Sequence, residues 1–410
     1  MTKNPATHVT QYLMQTHPNE WEKRNVSRSS VGRDYLSESY IIAAASFVGL
    51  SQSNTKQALK CAEKIRQNDD LLAAANIIHD LTFAPESGSL EVSNLPIPTE
   101  LSVDLSGFFY VVLLLAGLPR LKAIHSRLHV NLSITRESAH ELDRRASRGA
   151  FSREHGVPGI DGYNFSWLMM IWNGELFQIG RFLFSLWIHP GIVRVFESPS
   201  SGTITAISEG ELVYLRSGLN VGSGGITDKE GSWTAFVRET ETEVIGNPIS
   251  LDGFAHNREI VLKKSKWVER ISKGTQILDF HIPDGSSLDS ETCAQSFSKA
   301  IRFFKRHFPD QSFAAFECGS WLMDPVFSDI LPTDSNLAQF QREFYLFPCF
   351  TGYGDRMPAE VRRGKDGRQT TMEIRFIEYL NSGGRFNSGG GFLPVDDFRW
   401  GKTSSRYALI

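Results

Sequence analysis

Two short stretches hold residues that could do chemistry. In residues 275–283, "TQILDFHIP", a carboxylate and an imidazole stand two apart at Asp279 and His281. On an extended strand side chains alternate, so these two share a face opposite Leu278, Phe280 and Ile282. They form a candidate proton-transfer pair, although a His close to Pro283 equally serves as a backbone hydrogen-bond partner at a strand end. In residues 313–325, "FAAFECGSWLMDP", Phe316, Cys318 and Ser320 fall on one face and Glu317 on the other. A carboxylate among aromatics is expensive to bury alone. Glu317 is therefore either a base with a raised pKa or the partner of an arginine such as Arg181. Cys318 is a reactive thiol or a small core residue, and Ser320 a ligand donor or the cap of the turn at Trp321. With His281 beside it, Cys318 would make a cysteine hydrolase, but no local hydrolase signature accompanies it.

Both stretches read as strands, and the segment between them, "SETCAQSFSKAIRFFKRHF", reads as an amphipathic helix. Cys293, Phe297, Ile301, Phe304 and Phe308 make its apolar stripe. "PVFSDILPTDSNLAQFQREF" then supplies one or two helices before a strand at "YLFPCF", where Cys349 is read as packing. Upstream, residues 172–246 hold a meander of short strands separated by Gly and Ser. The segment 217–232, "SGLNVGSGGITDKEGS", is expected to be an exposed hairpin loop, with no Lys-Ser or Lys-Thr after its glycines to make a phosphate loop. From about Leu36 to Ala150 the spacing is helical, with Ser53 or Asn54 as an expected N-cap and Cys61 as core. Near the C-terminus, "VRRGKDGRQT" and "NSGGRFNSGGGF" read as hairpin turns carrying Arg362, Arg363, Lys365 and Arg385.

The composition narrows the classes. With 410 residues the chain is too long for one ordinary core. Its 41% hydrophobic and 22% charged residues, with 28 phenylalanines, describe a globular protein. A net charge of −3 gives no footprint for nucleic acid or an anionic membrane. The most apolar window, residues 108–118, is far shorter than the roughly 20 residues a membrane span needs, and it is expected to be a buried helix. The polar start of the chain and four scattered cysteines without a CxxC pair point to a cytoplasmic protein with reduced thiols. No His-rich or Cys-rich spacing announces a metal site, and none is expected.

His-Ile-Pro at 281–283, Ser320-Trp321-Leu322, Asp324-Pro325 and Ser335-Asn336, with "ELFQIGRFLF" upstream, resemble the bacterial two-domain acyltransferase-like proteins. These join a helical N-acyltransferase N-terminal domain to a GNAT-like C-terminal domain. The resemblance implies an α+β chain, with a helical domain over residues 1–150 and a GNAT-like mixed sheet with flanking helices over 151–410. Extra antiparallel strands are expected around 190–240. It implies an acyl-CoA-dependent N-acyltransferase using acetyl-CoA or another acyl-CoA as co-substrate and a small-molecule or peptide amine as acceptor, with a possible homodimer.

In such a protein the two strands splay apart, and their unpaired N–H groups hold the pantetheine and polarise the thioester. His281, Asp279, Glu317, Cys318 and Ser320 are then the candidates for base, for acid to the leaving thiolate, and for oxyanion support. Ile282, Gly285, Ser286, Ser287, Ser335 and Asn336 would hold the co-substrate, its pyrophosphate meeting the start of the following helix. Glu175 would line the acceptor side. Bland roles stand beside these: Ser335 or Asn336 as a helix N-cap, Asp289 or Ser290 likewise, and Glu175 as a solvated strand end. The loop "PDGSSLDSE" has one glycine, no basic residue, and Asp284, Asp289 and Glu291, which would repel a pyrophosphate. A catalytically inactive GNAT-shaped binding or interaction protein is the alternative.

Overall fold

A computed structural model describes residues 8–26, 34–83, 90–227, 229–285, 287–350, 371–396 and 398–408. The chain forms two compact units, Met1–Ile179 and Gly180–Ile410. In the first, helices run from α1 (Val9–Thr16) and α2 (Pro18–Val26) through α3 (Glu38–Val48), α4 (Gln52–Arg66) and α5 (Asp69–Phe83) to α6 (Val103–Ala116) and α7 (Leu118–Arg127). α8 (Leu132–Ala139), α9 (Glu141–Arg148), α10 (Ala150–His155), α11 (Gly162–Trp172) and the short strand β1 (Leu176–Ile179) complete it.

The apolar window lies in α6, where every residue from Leu105 to Ala116 is buried, as a helix apolar on all sides must be. Among the described residues no single helix is long and apolar enough to cross a membrane; α6 and α7 pass that test only as a pair bent by 41°. The N-cap of α4 is Ser51, whose hydroxyl accepts from the Asn54 N–H, rather than Ser53 or Asn54. Asn54 is inside the helix and buried, and its amide donates to Asp143 and Ser147. The expected boundary between 150 and 151 falls within α10, inside the first unit. The reason is packing: in α11 the Trp172 indole donates to the Leu114 carbonyl and Phe165 lies against Tyr110, so the helical core continues to Trp172.

In the second unit, β2 (Phe182–Ile188) leads into nine short strands: β3 (Val193–Glu197), β4 (Ile204–Ser208), β5 (Val213–Tyr214), β6 (Trp233–Thr234), β7 (Val237–Glu239), β8 (Glu243–Gly246), β9 (Pro248–Ile249), β10 (Ile260–Lys263) and β11 (Val268–Ile271). Then come β12 (Gln276–His281), α12 (Ser290–His307), β13 (Ala315–Ser320), α13 (Phe327–Ile330), α14 (Asn336–Arg342), β14 (Tyr345–Pro348), α15 (Thr371–Asn381) and β15 (Gly389–Pro394). The added strands therefore extend from Val193 to Ile271, past the expected limit of 240. β5 pairs with β6, so residues 217–232 do form a hairpin connection, although Leu219 and Ser223 within it are buried.

The main sheet of this unit runs β2-β12-β13-β15-β14, with β12 and β13 parallel and the other neighbours antiparallel. One face carries Phe182, Phe184, Phe280 and Phe316, which meet Phe297 of α12 at ring distances of 4.7–5.7 Å. Cys293 is buried with them. The other face carries Ala315, Tyr345, Phe347 and Phe392, which share a core with Val193, Val195, Ala206 and Ile249 of the added strands.

The triple glycine 389–391, expected in a turn, is instead the start of β15 in the middle of the sheet. A Cβ at Gly390 would enter the Phe347 ring and one at Gly389 would strike the Met323 carbonyl, so only glycine lets these backbones approach. "VRRGKDGRQT", with Arg362, Arg363 and Lys365, lies outside the described residues. Arg385 is described and exposed, and its guanidinium donates to the Gly224 carbonyl.

Candidate active site

β12 and β13 are in register at only two positions, Leu278 with Phe316 and Asp279 with Glu317. Both strands continue, but each then follows its outer neighbour: β12 stays paired with β2 as far as His281, and β13 with β15 as far as Ser320. The parallel pair thus parts toward its C-terminal ends. Pro283 follows directly and, lacking an N–H, cannot extend the ladder. The gap opens into a cavity of about 470 Å³. Ile282, Pro283 and Leu288 form one wall, Ser320, Trp321 and Leu322 a second, and Leu331, Pro332 and Leu337 a third.

Several predicted residues meet at this cavity. Ser320 lines it and accepts from the Leu322 N–H, which is the capping role read for it. Ser335 lines it while capping α14 through the Ala338 N–H. Asn336 donates its amide to Ser287 across 2.6 Å, joining the start of α14 to the loop after β12. Gly285, at the rim, has a φ of +138°, which an L side chain rarely adopts. Ser286 lies outside the described residues.

The loop's acidity is partly spent locally. Asp289 caps α12 by accepting from the Thr292 N–H, a bond that lowers its carboxyl pKa. That carboxylate occupies the helix start at which a pyrophosphate was expected. Asp284 does line the cavity, but so do two arginines that the loop sequence does not contain. Arg181, buried just before β2, donates from Nη1 to the Pro283 carbonyl at 2.7 Å, and Arg375 of α15 is exposed. Arg181 is therefore not the partner of Glu317.

Asp279, His281 and Glu317 share the opposite face of the sheet from Phe316 and the α12 core. Glu317 Oε2 is 2.7 Å from Nδ1 of His189, whose ring is fully buried, and His189 Nε2 is 2.9 Å from the Val193 carbonyl oxygen. His189 was missed because it lies 128 residues from its partner. The cost of burying a lone carboxylate was the available signal, and it should have admitted imidazoles as well as arginines. Asp279 Oδ2 lies 3.3 Å from His281 Nε2, and their side chains are 24% and 37% exposed. Burial first, then the neighbouring Glu317 charge, pushes the Asp279 carboxyl up to about 8, against a lowering bond from the Phe280 backbone. Ser185 stands beside Asp279 in register on β2, buried and with no hydrogen-bond partner for its hydroxyl among the described residues.

Because Asp279 and Glu317 are in register, alternation sends Cys318 to the face opposite His281. The two do not come together as a hydrolase pair requires. Cys318 is buried, and desolvation raises its thiol well above the usual range, which keeps it protonated. Cys61 and Cys293 are likewise buried, and all four cysteines are free. Asp324, from the Asp-Pro pair, is fully buried and accepts from the backbone N–H groups of Asn387 and Val326, tying the turn after β13 to the approach of β15. Glu175 is exposed in the turn between α11 and β1 of the first unit, its N–H donating to the Met170 carbonyl. Among the described residues no group of three or more His, Cys, Asp or Glu is placed to hold a metal ion.

A mixed sheet with one parallel pair parting over an apolar cavity is the architecture of GNAT-like acyltransferases. Residues 176–393 match the model of the GNAT-like C-terminal domain and residues 41–174 that of the N-acyltransferase N-terminal domain. The first match alone spans more than half of the chain, which therefore belongs to this family. No curated protein matches the chain. Solved structures do. One is an acyltransferase in complex with decanoyl-CoA, with 17% identity, 85% of each chain covered and a TM-score of 0.56. Another is an acyltransferase mutant in complex with octanoyl-CoA, with 16% identity, 92% and 93% covered and a TM-score of 0.57. A third holds decanoyl-CoA and teicoplanin, with 16% identity, 86% of each chain covered and a TM-score of 0.55. At these identities the likeness is one of fold.

Proposed function

We propose that the protein transfers an acyl group from a CoA thioester to an amine. The observation that carries this reading is the cavity between the parted ends of β12 and β13. Backbone N–H groups released from a ladder are suited to bind amides and to polarise a thioester carbonyl. The apolar walls suit an acyl chain of medium length, and the decanoyl-CoA and octanoyl-CoA complexes of the structural relatives support that length. Arg181 and Arg375 supply positive charge for the phosphates.

In the proposed reaction His281, held by Asp279, takes a proton from the acceptor ammonium. The freed amine attacks the thioester carbonyl and the C–N bond forms; the C–S bond then breaks, and the proton that the attacking nitrogen loses in becoming an amide goes to the leaving thiolate, which departs as a thiol. Ser320, at the cavity wall on β13, is the proposed hydroxyl near that thiolate. Ile282, Gly285, Ser286, Ser287, Ser335 and Asn336 surround the co-substrate in this reading. Glu317 supports the site from below, Glu175 remains a candidate contact for the acceptor, and Cys318 is assigned no chemistry.

The test is release of free thiol from octanoyl-CoA, followed with a thiol reagent in the presence of a panel of primary amines, on the wild type and on His281→Ala. Amine-dependent release that falls at least a hundredfold in the variant supports the assignment. Binding of octanoyl-CoA without thiol release for any amine would make the protein a GNAT-shaped binding module instead.

A further inference from the structure

The outer face of α12 carries positive charge that no described residue balances. Lys299, Arg302 and Arg306 follow one another at spacings of three and four, so they form one stripe, and Lys305 borders it. All four are exposed, and among the described residues none of them forms an ion pair or a hydrogen bond. The nearest acids along the chain, Glu291 and Asp310, lie beyond the two ends of the stripe. On a chain of net charge −3 this is a local field, suited to an anionic partner rather than to polyanions at large. The stripe also lacks the apolar anchors with which a basic helix enters a membrane interface: α12 exposes no large hydrophobic side chain, and its exposed neighbours are Gln295, Pro309, Asp310 and Gln311. Charge complementarity therefore favours an acidic protein.

The same helix starts at the cavity. Leu288 lines the cavity two residues before α12 begins at Ser290. At the helical rise, Lys299 lies about 14 Å and Arg306 about 24 Å along the axis from that start. Asp289 occupies the helix start, and the loop from Asp284 to Asp289 holds no cation, so a pyrophosphate gains little there. A phosphopantetheine arm attached to a protein presents the same thioester as CoA on a single phosphodiester. We infer that the stripe on α12 is the docking surface for an acidic carrier protein, which delivers the acyl group on such an arm as a second donor beside CoA. A carrier lying along the stripe directs its arm to the rim at Leu288. The inference rests on the acyl-transfer reading for its chemistry: the amine forms the C–N bond, the C–S bond to the arm breaks, and the arm's thiolate takes the proton that the nitrogen loses. The docking itself does not rest on that reading.

The experiment is calorimetric titration of the full chain with an acyl carrier protein loaded with an octanoyl group, at low and at high salt. It is repeated on a triple variant, Lys299→Glu with Arg302→Glu and Arg306→Glu, and on the milder set with Gln at the same three positions. Saturable binding is expected, weaker at high salt and at least about tenfold weaker in the Glu variant, with the Gln variant between. Octanoyl-CoA binding should change by less than about twofold in either variant, which also shows that they fold. No binding of the carrier by the wild type, or binding that neither variant weakens, would overturn the inference. So would stripe-dependent sedimentation with phosphatidylglycerol vesicles in the absence of carrier binding, which would make the stripe a membrane contact. Amine-dependent thiol release is measured separately from both thioesters. Release from octanoyl-CoA but not from a bound carrier would overturn the carrier as donor, whereas stripe-dependent carrier binding with release from neither would support the docking and count against the acyl-transfer reading alone.

Discussion

Arg181→Met is the substitution that most sharply separates charge from shape in the cavity. Arg181 is buried, its backbone N–H donates to Ser296 Oγ, and its Nη1 donates to the Pro283 carbonyl at the point where β12 ends. Methionine keeps most of the apolar stem and removes the cation. The fold loses the charge-assisted bond to the Pro283 carbonyl, about 1.5–3 kcal/mol. A ligand phosphate loses a charge-assisted bond of about 1.5–3 kcal/mol, which corresponds to roughly 10- to 150-fold in affinity. Calorimetric titration should therefore show octanoyl-CoA binding weakened within that range. Binding of the octanoyl thioester of N-acetylcysteamine, which has no phosphate, should change by less than about threefold. An equal loss for both ligands, or no loss for either, refutes the argument that Arg181 compensates for the acidic loop.

Three further outcomes follow from the same geometry. Phe297→Ala removes the ring that meets Phe182, Phe184, Phe280 and Phe316, and urea denaturation should show a loss of about 3–5 kcal/mol; a small loss would mean that this face is not the core. Gly390→Ala forces a Cβ into the Phe347 ring and should cost about 1–3 kcal/mol by the same measurement, whereas a neutral result would deny the close approach of β15. The third concerns pH. Asp279 is raised to about 8, and Asp324 to about 6 by burial, so each binds its proton more tightly folded than unfolded. Their contribution to stability is complete below the unfolded carboxyl pKa and is lost as pH rises through the folded value. Thermal melts of the wild type should thus decline from pH 6 to 9 by more than those of Asp279→Asn, and parallel curves would show that Asp279 is not held protonated.

How far the site was legible depended on whether a residue's partners were local. Alternation alone placed Asp279 with His281 and set Glu317 against Phe316, because a strand's faces follow from a period of two. The stripe of α12 and the buried α6 were visible for the same reason. Partners set by topology were not. His189 reaches Glu317 only because β2 and β13 flank β12, and Arg181 enters the cavity from the turn before β2. β10 and β11 were missed because β10 alternates over only four residues and β11 is mostly exposed, too little pattern to separate from a loop. The triple glycine looked like a turn because its reason is a neighbouring ring and carbonyl rather than its own dihedral angles.

The most direct test of the central claim is calorimetric titration of the purified full chain with octanoyl-CoA, repeated on Ser287→Glu. That variant places a negative charge at the loop that Asn336 joins to the cavity rim. The account predicts saturable binding in the micromolar range that the added charge weakens. No binding of octanoyl-CoA or acetyl-CoA by the wild type would contradict it.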